Sequence, residues 1–82
     1  MRRYEKEQGD QLVQVICNRC GKELRLENGY LKEGCLNVDY VFGYFSEKDG
    51  LRHRFDLCEE CYDEMIRHFR IPVQISQERE LL

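Results

Sequence analysis

Two Cys-x-x-Cys pairs hold most of the chemistry that this sequence can support. Cys17 and Cys20 form the first pair, and Gly21 follows it directly. Cys58 and Cys61 form the second pair, far along the chain. Two thiolate pairs of this spacing are what a tetrahedral zinc site needs. The sequence therefore predicts one structural Zn²⁺ per chain, bound by these four cysteines.

Length and composition narrow the protein class. A chain of 82 residues makes one domain near the lower limit for a self-sufficient hydrophobic core. Domains of this size often need a bound metal, disulfides or a partner chain to be stable. Its apolar runs are only a few residues long, so we expect no membrane span. We see no secretory signal pattern and expect a cytoplasmic protein. In that reducing compartment, paired cysteines bind metal more often than they form disulfides.

The charge balance bears on possible partners. The formal net charge is −3, and four thiolates around one divalent ion would bring it to about −5. Such an acidic chain lacks the general attraction for phosphate backbones that nucleic-acid binders show. The charge therefore argues against nucleic-acid binding without excluding a local basic patch. We expect a protein partner or a homodimer rather than nucleic acid, no membrane contact, and infer no small-molecule substrate.

The N-terminal half is predicted to present the first cysteine pair. We expect a flexible arm over residues 1–11, then a β-branched strand over residues 12–16. Gly21 provides the tight turn after the cysteines, because glycine accepts a positive φ. Residues 24–26 are predicted to return as the second strand of a small hairpin. A turn over residues 27–29 and a loop over residues 30–34 follow.

A long hairpin is predicted next. Residues 36–45 alternate, which places five side chains on one face: Leu36, Val38, Tyr40, Phe42 and Tyr44. Val41 and Phe45 belong to the other face. Residues 46–50 are the predicted loop, with its glycine at the end. Residues 51–57 then alternate between an apolar face that includes His53 and a charged face of Arg52, Arg54 and Asp56.

From Glu59 the apolar spacing changes to that of a helix. The stripe consists of Tyr62, Met65, Ile66 and Phe69. Acidic residues at the start and basic residues at the end suit the helix dipole, and Pro72 is predicted to end the helix. Cys58 is expected to act as both metal ligand and helix cap, near backbone N–H groups that favour thiolates. Residues 74–82 are predicted to be a tail after a single Cys₄ domain over residues 12–73.

This order of knuckle, small hairpin, long hairpin and helix resembles a treble-clef zinc finger. The resemblance implies a small α+β domain in which a knuckle and a helix N-terminus each supply two ligands. Residues 17–22, 43–50 and 55–63 also resemble a group of small, uncharacterised bacterial Cys₄ proteins with two Cys-x-x-Cys knuckles. That second resemblance implies no activity.

Other interpretations of the cysteines remain open. A rubredoxin-like iron carrier uses four cysteines with glycine after each pair, whereas Tyr62 follows Cys61 here, so iron is the minor alternative. Free buried thiols are another possibility. Cys35 has no partner at knuckle spacing and is by default a small packing residue; an intermolecular disulfide or a substitute ligand are the alternatives. His53 and His68 are expected to have structural or surface roles.

We do not expect an enzyme. Catalysis at zinc needs an open coordination position, and four cysteines leave none. Treble-clef nucleases carry a histidine pair and an asparagine on the hairpin and helix, and this hairpin offers His53 alone.

The long hairpin is the expected functional surface. It carries more apolar residues than one short helix can cover, and exposed apolar faces mark protein contacts. The first hypothesis is a zinc-stabilised interaction module, an adaptor or regulator. The second is a small nucleic-acid-binding regulator with Lys48, Arg2, Arg3 and Lys6 beside the hairpin arginines. The candidate interaction surface comprises Tyr40, Val41, Phe42, Tyr44, Phe45, Arg52 and Arg54.

Overall fold

The computed structural model describes residues 1–6 and 9–78 of the chain. Within them it is a small α+β fold of three two-stranded antiparallel hairpins and one C-terminal helix. The elements are β1 (Arg2–Glu5), β2 (Gln11–Val15), β3 (Leu26–Glu27), β4 (Tyr30–Leu31), β5 (Cys35–Val41), β6 (Arg52–Cys58) and α1 (Glu59–Arg67). The α+β class predicted from the sequence is confirmed. No helix of the described residues has the length and apolar character needed to cross a membrane.

The N-terminal segment differs from the prediction. Instead of a flexible arm over residues 1–11, β1 pairs antiparallel with β2, with Arg2 opposite Val15 and a bulge after Arg3. The strand escaped prediction because its side chains show no apolar alternation. It is held by main-chain pairing and by Arg2, whose Nε donates to a buried Asp56 oxygen at 3.0 Å. Residues 7 and 8 of the predicted arm lie outside the described residues.

The middle of the chain forms a second, very short hairpin. Asn28 and Gly29 both have positive φ values, 53° and 81°, as the two-residue turn between β3 and β4 requires. The predicted loop over residues 30–34 therefore contains a strand, β4. The predicted return strand over residues 24–26 is reduced to a bridge between Glu23 and Ile16, beside a main-chain bond from Leu24 N–H to the Val15 oxygen.

The β5–β6 hairpin has the predicted face. Leu36 lies opposite Leu57, and Tyr40 lies opposite His53, so these side chains share one side of the sheet. The strand ends at Val41 rather than at residue 45, because residues 43–50 fold into consecutive turns. Gly50 closes this loop with a φ of 84°, the left-handed conformation predicted for that position.

Helix α1 begins where the sequence predicts. Cys58 is its N-cap residue, as predicted, although the Cys58 side chain makes no capping hydrogen bond. The helix ends at Arg67, well before Pro72, and Phe69 lies beyond its last turn. Residues 74–78 have no regular secondary structure, and residues 79–82 of the predicted tail lie outside the described residues.

The core is small and surrounds the cysteines. Among the described residues the buried apolar side chains are Val15, Cys17, Leu24, Leu57, Cys58 and Cys61. Half of this set is cysteine, so the apolar burial that stabilises larger domains is limited here. The turn end of the β5–β6 hairpin extends away from this core.

Asp56 joins three parts of the chain. Its side chain is only 2% exposed, and its carboxylate accepts from Arg2 Nε and Asn37 Nδ2 at 3.0 Å and from the amino group of Met1 at 2.9 Å. Its backbone oxygen accepts from Asn18 N–H at 2.8 Å, which ties β6 to the first cysteine turn. The sequence pattern had placed this residue on a solvent-facing charged face, and that prediction is wrong.

The environment of Asp56 favours its charged form. Burial acts to raise the pKa of Asp56, but hydrogen bonds from the amino group, Asn37 and Arg2 outweigh burial and lower it. A carboxyl whose folded pKa lies below its unfolded value contributes stability above about pH 4. That contribution is lost as the pH falls through the folded pKa.

We predict that Asp56→Asn destabilises the fold by about 2–3 kcal/mol, because it leaves the partly exposed Arg2 facing a neutral partner at a buried position. Asp39→Asn is the matched control, since Asp39 pairs with Arg52 on the exposed side of the same hairpin at 2.9 Å. The control should lose less than about 1 kcal/mol. Urea unfolding of the metal-loaded proteins measures the loss of unfolding free energy in each variant. Equal losses would show that Asp56 does not hold the three parts of the chain together.

Candidate metal centre

The first cysteine pair sits on a tight turn that follows β2. Cys17 N–H donates to the Lys22 oxygen, and Gly21 N–H donates to the Cys17 oxygen, both at 2.9 Å. Gly21 has a φ of 83°, which a residue with a Cβ rarely adopts. These bonds hold Cys17 and Cys20 on one side of the turn, and Cys20 N–H donates to Cys17 Sγ at 3.5 Å.

The second pair comes from the junction between strand and helix. Cys58 is the last residue of β6, and Cys61 lies in the first turn of α1. Residues three apart at a helix start project from the same side. The direct succession of strand and helix therefore aims both sulfurs at the first pair.

The four sulfurs form one compact group. The Sγ atoms of Cys17, Cys20, Cys58 and Cys61 all lie within 4.8 Å of one another. Cys20 Sγ lies 3.8 Å from Cys58 Sγ. A Zn–S bond of about 2.3 Å gives a tetrahedron edge of about 3.8 Å, so this separation suits a tetrahedral ion. Three of the cysteines are buried and Cys20 is exposed.

The donor set has the chemistry of a soft-metal site. Soft thiolates select zinc, copper(I) or iron, and four of them with no oxygen ligand disfavour magnesium and calcium. The four residues present therefore fit a tetrahedral metal ion, and their geometry is the same for zinc and for iron.

The sulfurs influence one another's ionisation. Burial disfavours the Cys17 thiolate, but hydrogen bonds from the backbone of Cys20, Cys58 and Arg19 lower the pKa of Cys17 to about 6. Arg19 favours the Cys61 thiolate, yet burial and hydrogen bonds with the other three sulfurs raise the pKa of Cys61 to about 12. Four adjacent thiolates need a cation between them to be ionised together.

Arg19 brings positive charge to the edge of the group. Its Nη1 lies 3.3 Å from Cys61 Sγ and 3.0 Å from Glu64 Oε1. The guanidinium therefore bridges the first cysteine turn and helix α1. Sequence reasoning missed this residue, because position 19 lies inside the Cys-x-x-Cys spacer, where side chains are usually solvated.

Cys35 lies outside the group. It is opposite Cys58 in the sheet register, but its thiol lies 3.6 Å from an Asp56 oxygen. Burial and the Asp56 charge raise the pKa of Cys35. Substitution for one of the four ligands is therefore not its role in this arrangement.

The predicted interaction surface lies at the other end of the molecule. Phe42 is half-buried and makes edge contacts with Tyr40 and His53, each at a centroid distance of 5.0 Å. Tyr40, Val41, Tyr44, Phe45 and Arg54 are exposed, and Arg52 is exposed and paired with Asp39. The hairpin thus separates these residues from the four cysteines.

Comparisons of the chain with protein-family models, with curated proteins and with solved structures find no match. The inference of a metal site therefore rests on the geometry of the four cysteines and on their chemistry.

We predict that replacing any of the four clustered cysteines with serine abolishes stoichiometric metal binding and most of the folded structure. Metal binding and folding are one equilibrium in small domains of this kind. Cys35→Ser is the control and should retain metal and fold, since Cys35 Sγ bonds to Asp56 instead. Elemental analysis and circular dichroism measure both properties. A wild-type protein that stays folded in strong chelator while its four clustered cysteines titrate as free thiols would contradict the site.

We predict that Arg19→Gln weakens metal affinity by about tenfold, because groups that bond to metal ligands typically contribute 10–100-fold and Arg19 is partly exposed. Arg3→Gln is the control, since Arg3 pairs with Glu5 on the N-terminal hairpin. Competition with a chromophoric chelator gives the affinities. Unchanged affinity in Arg19→Gln would show that its contact with Cys61 has no effect on the metal.

Proposed function

We propose that this chain is a non-enzymatic zinc protein whose structural Cys₄ site supports a protein–protein interaction module. In this proposal the fold is treble-clef-like: the Cys17–Cys20 turn and the N-terminus of α1 each supply two ligands. The ion has a structural role, because four thiolates fill a tetrahedral shell and leave no position for water or substrate. The module acts as an adaptor or a regulator.

Zinc is favoured over iron by the asymmetry of the two cysteine pairs. Gly21 follows the first pair in a left-handed turn, whereas Tyr62 follows the second pair inside a helix. A rubredoxin-like centre uses two equivalent glycine turns. Elemental analysis of protein purified without added metal is expected to give one zinc per chain. One equivalent of iron per chain, with thiolate charge-transfer absorption, would instead identify an iron site and favour a role in electron transfer.

The observation that carries the proposal is the exposure of the hairpin end. Tyr44 is 80% exposed and Phe45 is 96% exposed, and their rings contact each other edge to face at 5.0 Å. Tyr40, Val41 and Leu51 add exposed apolar surface beside them. Aromatic side chains are typical anchors of protein interfaces, since they bury a large area with few rotatable bonds.

The charges of the hairpin support a protein partner more than nucleic acid. Arg52 pairs with Asp39 at 2.9 Å, and Asp39 also lies opposite Arg54 in the sheet register. The two arginines therefore face a carboxylate within their own hairpin. An acidic chain with partly neutralised arginines makes a weak site for a phosphate backbone.

We predict that the double substitution Tyr44→Ser and Phe45→Ser abolishes partner binding and leaves metal content unchanged. Ile75→Ser is the control, because Ile75 is 86% exposed but lies outside the hairpin. Cross-linking in native extract followed by mass spectrometry compares the three proteins. Identical cross-linked sets for all three would contradict the proposed surface. Salt-sensitive binding to mixed DNA and RNA that requires Arg52 and Arg54 would favour the nucleic-acid alternative instead.

A further inference from the structure

The outer edge of β5 carries unpaired main-chain groups. Phe42 N–H bonds to the Leu51 oxygen, so alternate residues from position 42 backwards face β6. The intervening residues Asn37, Asp39 and Val41 then direct their N–H and C=O groups away from β6. Among the described residues these groups have no hydrogen-bond partner. The contacts of Asp56 agree with this pattern, because its outward main-chain groups bond to Asn18.

The two edges of this hairpin differ. The β6 edge is covered at Asp56 by the first cysteine turn, and Arg52 and Arg54 flank its open part. Charged side chains of this kind discourage strand addition. The open part of the β5 edge carries Tyr40 and Val41, and its single charged residue, Asp39, is paired with Arg52 within the hairpin. An edge of unpaired donors and acceptors beside apolar side chains accepts an extended strand.

We propose that the occupant of this edge is a second copy of the chain, with two β5 strands pairing antiparallel about a two-fold axis through Tyr40. The inference rests on the proposed function, since it names the partner of the same hairpin surface. In this register Tyr40 lies opposite Tyr40 of the second copy. Asp39 and Val41 exchange main-chain hydrogen bonds, because both direct these groups outward.

Side chains select this register. Centring the axis on Asp39 would place two carboxylates directly opposite each other, which is destabilising. Centring it on Tyr40 places Val38 opposite Phe42, beside the aromatic pair.

The same register gives the exposed hairpin tip a place to dock. Because β5 ends at Val41, the turn over residues 43–50 of one copy leaves the paired strands on the side where β5 of the other copy begins. There a groove of about 300 Å³ lies between the start of β5 and helix α1. Its lining residues are Gly34, Cys35, Leu36, Glu59, Tyr62 and Asp63. Because the operation is two-fold, each copy offers one aromatic tip and one groove.

Charge and area are compatible with a second copy. The part of the hairpin over residues 35–55 carries three acidic and three basic residues. The acidic ones are Asp39, Glu47 and Asp49, and the basic ones are Lys48, Arg52 and Arg54. Two hairpins can therefore approach without the repulsion expected from a chain of net charge −3. At about 200 Å² per aromatic side chain, the exposed parts of Tyr40, Tyr44 and Phe45 supply about 900 Å² over two copies. Val41, Leu51 and the strand edges bring this total towards the ~1,200 Å² of small specific interfaces.

The test is the oligomeric state of the metal-loaded full chain, by sedimentation equilibrium over a wide range of protein concentration. We expect a monomer–dimer equilibrium whose dissociation constant rises roughly tenfold or more in Val41→Pro and in Phe45→Ser. Proline at position 41 removes an outward N–H and no bond within the hairpin. Ile75→Ser should dimerise as the wild type does. Metal content and circular dichroism verify the fold of each variant.

Three other outcomes overturn the dimer, and a fourth supports it. A wild type that stays monomeric at every concentration refutes it, and so does a dimer that both hairpin substitutions leave unchanged. A monomeric chain that loses a cross-linked heterologous protein on Val41→Pro also refutes self-pairing, but it leaves the interaction-module function standing. A dimer that has no other hairpin-dependent partner in the cell supports self-pairing. The interaction module would then serve only to form the dimer.

Discussion

The convergence of four sulfurs from two distant parts of the chain is the constraint on which this fold depends. Cys20 and Cys58 are 38 positions apart in sequence, yet their Sγ atoms lie 3.8 Å apart. Each hairpin has too few contacts to be stable alone in water. The tight turn after β2 and the junction of β6 with α1 become fixed relative to each other where these sulfurs meet.

A polar clamp beside the sulfurs complements this arrangement. Asp56 precedes Cys58 on the same strand face and is held by Arg2 from the N-terminal hairpin and by Asn18 from the first cysteine turn. Buried carboxylates need such partners, since an unpaired charge is expensive to bury. The strand that carries Cys58, a candidate metal ligand, is thereby positioned by charge as well as by sulfur.

Sequence patterns predicted the parts of the fold that depend on local periodicity. The helix start at Glu59 and the shared face of Leu36 and Tyr40 followed from spacing alone. Strand β1 and the burial of Asp56 did not, because each depends on the other through a contact between residues 54 positions apart. The Asn28–Gly29 turn was readable in principle, since that dipeptide is a strong hairpin signal.

The distance between the ligand pairs along the chain also bears on how the domain folds. Cys17 and Cys20 meet within one turn, whereas joining Cys20 to Cys58 closes a long loop at an entropic cost of about 3 kcal/mol. We expect the β5–β6 hairpin, whose contacts are local, to form first and to shorten that loop before the sulfurs meet. We therefore expect the folding rate to follow the hairpin, while the lifetime of the folded state follows the sulfurs. On this expectation the β5–β6 hairpin speeds the assembly of the four sulfurs, although its turn end lies far from them.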